Sequence, residues 1–591
     1  MKMLLIGHRG VGKTALVQRL QIYHSLRGSS IAVHDLDREI EKGAQAKIAD
    51  IFELVGEKTF RQIELKTLEY LMRRSEFIIS LGAGFDLTQI QIHPDVEIVW
   101  VSRKTDSLGR IFLDRPRLNQ NLTPLEEFQE RYQKRSELYS RFAHWHYEMP
   151  EGLTSPNEIE KMIFLNQVDD AGGILTLTAA HLQNAEIFKN YYFSRGFDQY
   201  ELRDDLLTEV EFQKALTLIP KNQILISCRT QPTKTILQKM NAEGYETDWA
   251  LELGTPDQIK PTIISLHERG EKSISDLLND LESNGKNRHL KLAIEIHNYS
   301  ELRQCLSWQS QDPKNRSFLP RSKSGRWTWV RLWLKHQQKL NFIHDFGSPH
   351  LDQPTLSEWL NISSCHQEFA AVLGHPVMHS YSPAEHQPYF RSRGIPFFAI
   401  DISEHEWDES LPLLEKMGLR YAAVTSPLKI KAFHFAKDHT EIAQKLQSAN
   451  TLVLESNHGW WAHNTDLEGL SSLLETESDL GEVVIWGGGG TLPVIHELIP
   501  SAISYSSRTG QMRGEDADEA PTANPETLIW AAAPNAELPK HNWTPKRVID
   551  LNYRDDSRAK EYCQITGAKY ISGLLMFKSQ AQAQRQFWER F

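Results

Sequence analysis

Residues 7 to 14 read GHRGVGKT, a Gly-x-x-x-x-Gly-Lys-Thr pattern, and no other stretch of the chain narrows the fold as far. The apolar run Met3-Leu4-Leu5-Ile6 precedes it, and Leu16, Val17 and Leu20 follow at helical spacing, so the segment reads strand, loop, helix. In such a loop Gly10 and Gly12 let backbone N–H groups converge on phosphate oxygens. Lys13 reaches the β and γ positions, and the Thr14 hydroxyl holds Mg²⁺. The pattern predicts a nucleotide site and leaves the reaction open.

One loop of this kind accounts for one domain, whereas 591 residues at about 100–200 per domain imply three to five. Net charge is −11, so the overall field offers nothing to a polyanion, and nucleic acid is excluded as a general partner. No window approaches twenty uninterrupted apolar residues. A membrane span and a signal peptide are therefore not expected, and the chain reads as cytoplasmic. Cys228, Cys305, Cys365 and Cys563 stand apart with no Cys-x-x-Cys, which argues against disulfides and structural zinc. Oligomeric state is not legible, and a homo-oligomer stays open.

Turn-rich stretches near Pro150 to Gly173 and near Asn361 to Glu368 divide the chain into three parts. The expected domains are 1–165, 170–362 and 367–591, the last with a substrate lobe (367–475 plus the C-terminal helix) and a dinucleotide lobe (480–570). The middle part alternates helical patterns with eight short apolar runs: ILTLT, DQYEL, QILISC, DWALEL, PTIISL, HLKLAIEI, RSFLP and LNFIHDF. That rhythm predicts a (β/α)₈ barrel. The outer parts read as open, doubly wound α/β units, so the fold class is multidomain α/β. In WTWVRLWLKHQQ the spacing of Trp329, Leu332 and Trp333 predicts a core-facing helix, not a nucleic-acid surface.

In the first part VHDLDREIE, IFELVGEKTFRQIE, FIISLGAGF, DRPRL and YQKRSELY follow the phosphate loop in order. Together with the loop they resemble shikimate kinase over residues 1 to 150. The resemblance implies ATP and Mg²⁺, with Thr14 and Asp35 at the metal. Asp37 would meet the shikimate hydroxyls and take the proton leaving the attacking oxygen. Arg61 and Arg135 would clamp the substrate carboxylate, with Glu64 orienting Arg61 and with Ala83 and Gly84 forming the substrate turn. Arg115, in an Arg-Pro-x-Leu lid, would close over the nucleotide and spread the transition-state charge.

At the carboxyl ends of the middle strands stand Glu201, Arg203, Arg229, Glu252, His267 and Lys291. This set resembles type I 3-dehydroquinate dehydratase. The resemblance implies a Schiff base on Lys291, with His267 removing the acidified proton and returning it to the departing hydroxyl. Glu201, Arg203 and Arg229 would line the substrate. Arg326 or Arg331, in and after LPRSKSGRW, would hold its carboxylate, and Gln353 in LDQPTLSEWL would meet a hydroxyl. Thr233 stands where the family has a Glu.

The third part carries FAAVLGHPVMHSYSP, YAAVTSPLKIKAF, SANTLV, AHNTDLEGL, VVIWGGGGTLP, SYSSRTG, VIDLNY and SGLLMFKSQA. These resemble shikimate dehydrogenase. The resemblance implies Ser380 and Ser382 on the substrate carboxylate and Thr425, Asn450 and Gln580 on its hydroxyls. Lys429 and Asp466 would be the proton-handling pair. Gly487, Gly489 and Gly490 would approach a pyrophosphate, with Tyr553 and Gly573 also on the cofactor side. Ser507-Arg508-Thr509 places a cation where NAD-binding folds carry an acid, which favours NADPH.

The three resemblances imply consecutive reactions: 3-dehydroquinate loses water, 3-dehydroshikimate is reduced, and shikimate is phosphorylated. The order is similar to the C-terminal part of the fungal pentafunctional arom polypeptide. A regulator of the same domain order, similar to fungal quinate-pathway repressors, is the alternative.

Overall fold

The computed structural model describes all residues except 27, 91, 94, 114–118, 120, 150, 152–170, 184, 186–187, 231–235, 237–243, 255–258, 346–349, 363–367, 478 and 514–523. Packing of the backbone divides the chain into two compact units. One comprises Met1–Arg103, Arg135–Pro150 and Thr154–Ser364; the other comprises Lys104–Lys134, Glu151–Leu153 and Cys365–Phe591.

The first unit holds two sheets. Strands β1 (Lys2–Ile6), β2 (Ala32–Asp35), β3 (Phe77–Ser80), β4 (Glu97–Ser102) and β5 (Trp145–Glu148) form a parallel sheet in the order β2-β3-β1-β4-β5. Every residue of β3 is buried, as expected for a parallel strand covered on both faces. The chain leaves β1 through the phosphate loop into the helix Lys13–Leu26.

The second sheet has eight strands: β6 (Ile174–Thr176), β7 (Gln199–Arg203), β8 (Ile224–Cys228), β9 (Glu246–Ala250), β10 (Ile263–Leu266), β11 (His289–Leu292), β12 (Arg316–Phe318) and β13 (Phe342–Ile343). All paired neighbours are parallel and follow chain order from β6 to β12, while β13 pairs with β6. Between β12 and β13 side chains supply the bonds: Ser317 Oγ accepts from Leu340 N at 3.1 Å, and Gln338 Oε1 accepts from Phe318 N at 2.9 Å. Ile174, Leu225, Ile263, Ala293, Leu319, Leu340 and Phe342 make one core cluster. Helices follow with their own start signals: Thr208 caps Glu209–Leu218, Ser273 caps Ile274–Asn284 and Asn298 caps Tyr299–Gln311. Trp329 and Leu332 of the short helix Thr328–Trp333 are buried, as the spacing predicts, whereas Trp333 is only partly buried.

The other unit also holds two sheets. Strands β14 (Phe369–Gly374), β15 (Phe397–Asp401), β16 (Leu419–Val424), β17 (Asp438–His439), β18 (Thr451–Glu455) and β19 (Gly459–His463) are ordered β15-β14-β16-β18-β19-β17, with β18 antiparallel to both neighbours. Strands β20 (Val483–Gly487), β21 (Ile503–Tyr505), β22 (Thr527–Ala531), β23 (Arg547–Asp550) and β24 (Lys569–Ser572) form an all-parallel sheet ordered β21-β20-β22-β23-β24. Successive residues of β20 feed opposite faces. Val483 and Ile485 join Ile529 and Ile549 in one core, and Val484 and Trp486 join Leu528, Trp530 and Val548 in the other. Among the described residues no helix is long and apolar enough to cross a membrane.

Candidate active sites

The phosphate loop keeps its backbone bare by necessity. A Cβ on Gly7 would lie 2.2 Å from the Val101 carbonyl oxygen, and Gly10 and Gly12 adopt φ of +77° and +102°. Lys13 is buried and curls over the loop, its Nζ donating to the carbonyls of Gly7 at 2.7 Å and His8 at 3.1 Å. Thr14 is exposed at the start of the helix. Asp35 ends β2 and caps the helix Leu36–Ala44, accepting from Arg38 N at 3.3 Å, and Asp37 sits in that helix's first turn.

Opposite, the turn Gly82-Ala83-Gly84 gathers the residues expected at the acceptor. A Cβ on Gly82 would meet Asp37 Oδ1 at 2.6 Å, and one on Gly84 would meet Arg61 Nη2 at 2.8 Å. Arg61 donates to Glu64 at 2.5 Å, and Arg135 donates to the Gly84 carbonyl at 3.3 Å. Burial raises the Glu64 carboxyl above its usual range against the pull of Arg61, and the charge of Asp37 adds to the rise. Ala83 is not among the non-glycine residues with positive φ, so its methyl fits the turn. The Tyr139 hydroxyl lies 3.2 Å from both the Gly7 and the Ala83 carbonyl, joining phosphate loop and acceptor turn. Arg115 lies outside the described residues.

In the eight-stranded sheet the strand ends converge on one cluster. Asp248, inside β9 and fully buried, accepts through a single Oδ2 from Lys291 at 2.7 Å and Arg229 at 2.6 Å. Arg229 also lies 3.4 Å from Glu201, whose other oxygen accepts from Thr176 at 2.7 Å, and Thr176 in turn accepts from Gln353 Nε2 at 2.8 Å. Arg203 makes a two-pronged pair with Asp205 at 2.9 and 2.6 Å. Burial and the Arg229 charge bring the Lys291 ammonium down to about 8, with Asp248 and Glu201 opposing the fall. Burial works against ionisation of Asp248, yet Arg229 and Lys291 hold its carboxyl well below the usual range. His267 follows β10. Burial, then Arg229, brings it down to about 3, so its imidazole is neutral at pH 7. Among the described residues neither ring nitrogen comes within hydrogen-bond distance of a partner, and Nδ1 stands 3.7 Å from Glu252. Glu252 fixes that turn by accepting from the backbone N–H groups of His267 and Glu268 at 2.5 and 2.7 Å.

The two arginines expected at a carboxylate are engaged elsewhere. The Arg326 guanidinium lies 4.4 Å from the centre of the Trp327 ring and 5.6 Å from that of Tyr299. Arg331 is buried and donates to the carbonyls of Pro320 and Leu319 at 3.0 and 3.4 Å. Thr233 lies outside the described residues. Two members of the cluster, Thr176 and Asp248, were missed by sequence reasoning. Asp248 did carry a signal, a carboxylate in the middle of an otherwise buried strand.

Around β16 and β18 a further pair forms. Lys429 donates to Asp466 at 2.5 Å, and Asn450 Nδ2 donates to the other oxygen of Asp466 at 2.9 Å. Asp466 is 1% exposed, so its charge is anchored while Lys429 stays partly open to solvent. Gly469, one turn on, lets the helix Leu574–Trp588 approach: a Cβ there would meet the Gln580 Cβ at 2.9 Å. Thr425 follows β16 and packs against Gly374, and Ser380 Oγ accepts from Ser382 N at 3.2 Å. Tyr553 bonds to the Ser380 side chain, and its ring lies 4.6 Å from that of Tyr381 at an angle of 40°.

After β20 the glycines are again sterically required. A Cβ would fall 2.7 Å from Ala532 at Gly487 and 2.2 Å from Leu492 Cγ at Gly488, whose φ is +127°; Gly489 and Gly490 face open space. At Gly573 it would meet the Asp550 and Leu551 carbonyls at 2.7 Å. Ser507, Arg508 and Thr509 follow β21, with Arg508 and Thr509 exposed. A bare loop at the carboxyl end of a parallel strand, with an exposed cation one strand away, fits a phosphorylated dinucleotide.

Residues 9–163 match the shikimate kinase family, and residues 372–452 match the shikimate dehydrogenase substrate-binding domain. Both domains are therefore present in the chain. Among curated relatives, the NADP(+) shikimate dehydrogenase of Prochlorococcus marinus strain MIT 9301 is 34% identical over 24% of this chain and 51% of its own length. That of Glaesserella parasuis is 27% identical over 37% of this chain and 92% of its own. The chain spans about half the length of the curated relatives it matches first (51% and 49%). The shikimate 5-dehydrogenase of Thermus thermophilus, solved with NADP(H) and shikimate, is 25% identical over 38% of this chain and 94% of its own, with a TM-score of 0.33.

Proposed function

We propose that the chain catalyses three successive steps on one six-membered ring: dehydration of 3-dehydroquinate, reduction of 3-dehydroshikimate to shikimate with NADPH, and phosphorylation of shikimate by ATP with Mg²⁺. The matched domains support two of the steps. The dehydration rests on the lysine, histidine and carboxylate cluster of the eight-stranded sheet, which we read as a (β/α)₈ barrel because its strands run in chain order and the last neighbours the first. The observation that carries this step is Lys291 itself, a buried amine brought to about 8 and held by Asp248.

In the dehydration Lys291 Nζ adds to the substrate ketone and water leaves, forming an imine. The imine makes the adjacent C–H acidic, and neutral His267 removes that proton. The electron pair then expels the ring hydroxyl, which takes the proton from His267. Hydrolysis of the imine releases the enone and frees Lys291. In the reduction NADPH supplies the hydride; Lys429 gives its proton to the carbonyl oxygen, and Asp466 with Asn450 fixes the ammonium. In the phosphorylation ATP supplies the phosphoryl group, with Thr14 and Asp35 available to the Mg²⁺. Asp37 receives the hydroxyl proton, Arg61 and Arg135 hold the acceptor carboxylate, and Lys13 meets the phosphates.

One assay tests the whole: purified chain given 3-dehydroquinate, NADPH, ATP and Mg²⁺, followed for shikimate 3-phosphate. With neither enone absorbance nor loss of NADPH, the chain belongs instead with sensors of the same domain order.

A further inference from the structure

Arg321 lies three residues beyond β12, where its backbone still pairs with the neighbouring segment: its N–H donates to Ile294 O at 2.9 Å and its carbonyl accepts from Ile296 N at 2.9 Å. That pairing sets it at the end of the sheet where β10 delivers His267 and β11 delivers Lys291. Its Nη1 reaches back to the carbonyls of His267 and Ala293, each at 3.4 Å, so the guanidinium spans both strand ends.

Four cations meet here, and three are matched. Arg203 pairs with Asp205, while Arg229 and Lys291 share Asp248. No carboxylate of the described residues comes within 4.0 Å of Arg321. Burial, then the like charge of Arg203, makes its protonated form less favourable than usual; the more distant Glu295 and Asp352 oppose this only in part, and Arg229 adds to it. The cluster thus carries positive charge at a half-buried position that an arriving anion would relieve.

We propose that Arg321 is the residue that binds the carboxylate of the ring substrate at the Lys291 site, a role that Arg326 and Arg331 do not fill. Arg326 is stacked on rings. Arg331 binds the carbonyls of Leu319 and Pro320, immediately before Arg321, and so positions the segment that presents it. A planar guanidinium facing a carboxylate offers two parallel N–H donors, which fixes the ring's rotation as well as its affinity. The assignment rests on the dehydratase reading of this site.

The test is borohydride trapping on the full chain, quantified on the Lys291 peptide by mass, with 3-dehydroquinate and with its methyl ester, which lacks the anion. Arg321→Met is expected to raise the half-saturating concentration of 3-dehydroquinate by about 30-fold or more and to leave that of the ester nearly unchanged, with Arg321→Lys in between. An unchanged half-saturation in Arg321→Met, or the rise appearing in Arg326→Met instead, overturns the assignment and leaves the dehydratase reading standing. Equal losses for both ketones in Arg321→Met and Arg321→Lys would show an architectural role and also overturn it. A wild-type chain that traps neither ketone on Lys291 refutes the dehydratase reading, and the Arg321 assignment with it.

Discussion

Replacing Asp248 with Asn changes one atom type at the centre of the cluster in the eight-stranded sheet and removes the charge that Lys291 and Arg229 share. At 2.7 Å and an effective dielectric of about 20, the lost Lys291–Asp248 attraction is about 6 kcal/mol, or about four pKa units. Half of that, after relaxation, takes the amine from about 8 to about 6, because burial and Arg229 then act with less opposition. The variant therefore carries a neutral lysine at pH 7, which also lessens the cost of about 3–5 kcal/mol expected on breaking a buried ion pair. The assay is the pH dependence of borohydride trapping on the Lys291 peptide, with a small neutral ketone so that substrate charge plays no part. Wild type is expected to rise through about pH 8 as the ammonium loses its proton, and Asp248→Asn to rise about two pH units lower. A midpoint that stays at 8 or moves upward would refute the electrostatic account of Lys291 and of the nucleophile it implies.

Lys429→Met is expected to lower kcat for NADPH-dependent reduction by about 10²–10⁴-fold with little change in NADPH affinity, measured by steady-state NADPH loss. Gly488→Ala forces a methyl to within 2.2 Å of Leu492 Cγ at a φ of +127°, so dinucleotide binding, read by fluorescence titration, should weaken at least tenfold or the lobe lose about 1–3 kcal/mol on melting. Asp345 is buried, with its carboxyl raised to about 7 against about 3.9 unfolded; the unfolded chain ionises first, so its destabilisation grows as pH rises from about 4 to 7 and reaches about 4 kcal/mol. Asp345→Asn should thus raise the denaturation midpoint at pH 8 and leave it unchanged at pH 4, still accepting from the Tyr192 hydroxyl at 2.6 Å.

All eight apolar runs of the middle segment became strands, because fully buried parallel strands are short, β-branched and bounded by turns. DWALEL shows where such reading ends. The ladder stops at Ala250, and Leu251–Leu253 turns into a 3₁₀ segment that brings the Glu252 carboxylate to the N–H groups after β10. Lys291, His267, Lys429 and Asp466 were legible as candidates because a titratable group at a strand end or helix start has few structural uses. Arg321 was not. It lies in a stretch with two further arginines, and only the backbone pairing beyond β12 decides which of the three faces the strand ends. Asp248 was read as part of a strand, although a carboxylate at a fully buried strand position is the local inconsistency that functional sites tend to produce.

The Tyr139 phenol carries one hydrogen and stands equally far from two carbonyls, one in the Gly-rich loop after β1 and one in the turn after β3. A single proton cannot satisfy both at full strength. A shift of either the Gly7 turn or the Ala83 turn would therefore hand more of that hydrogen bond to the other, which ties the positions of the two turns to one phenol.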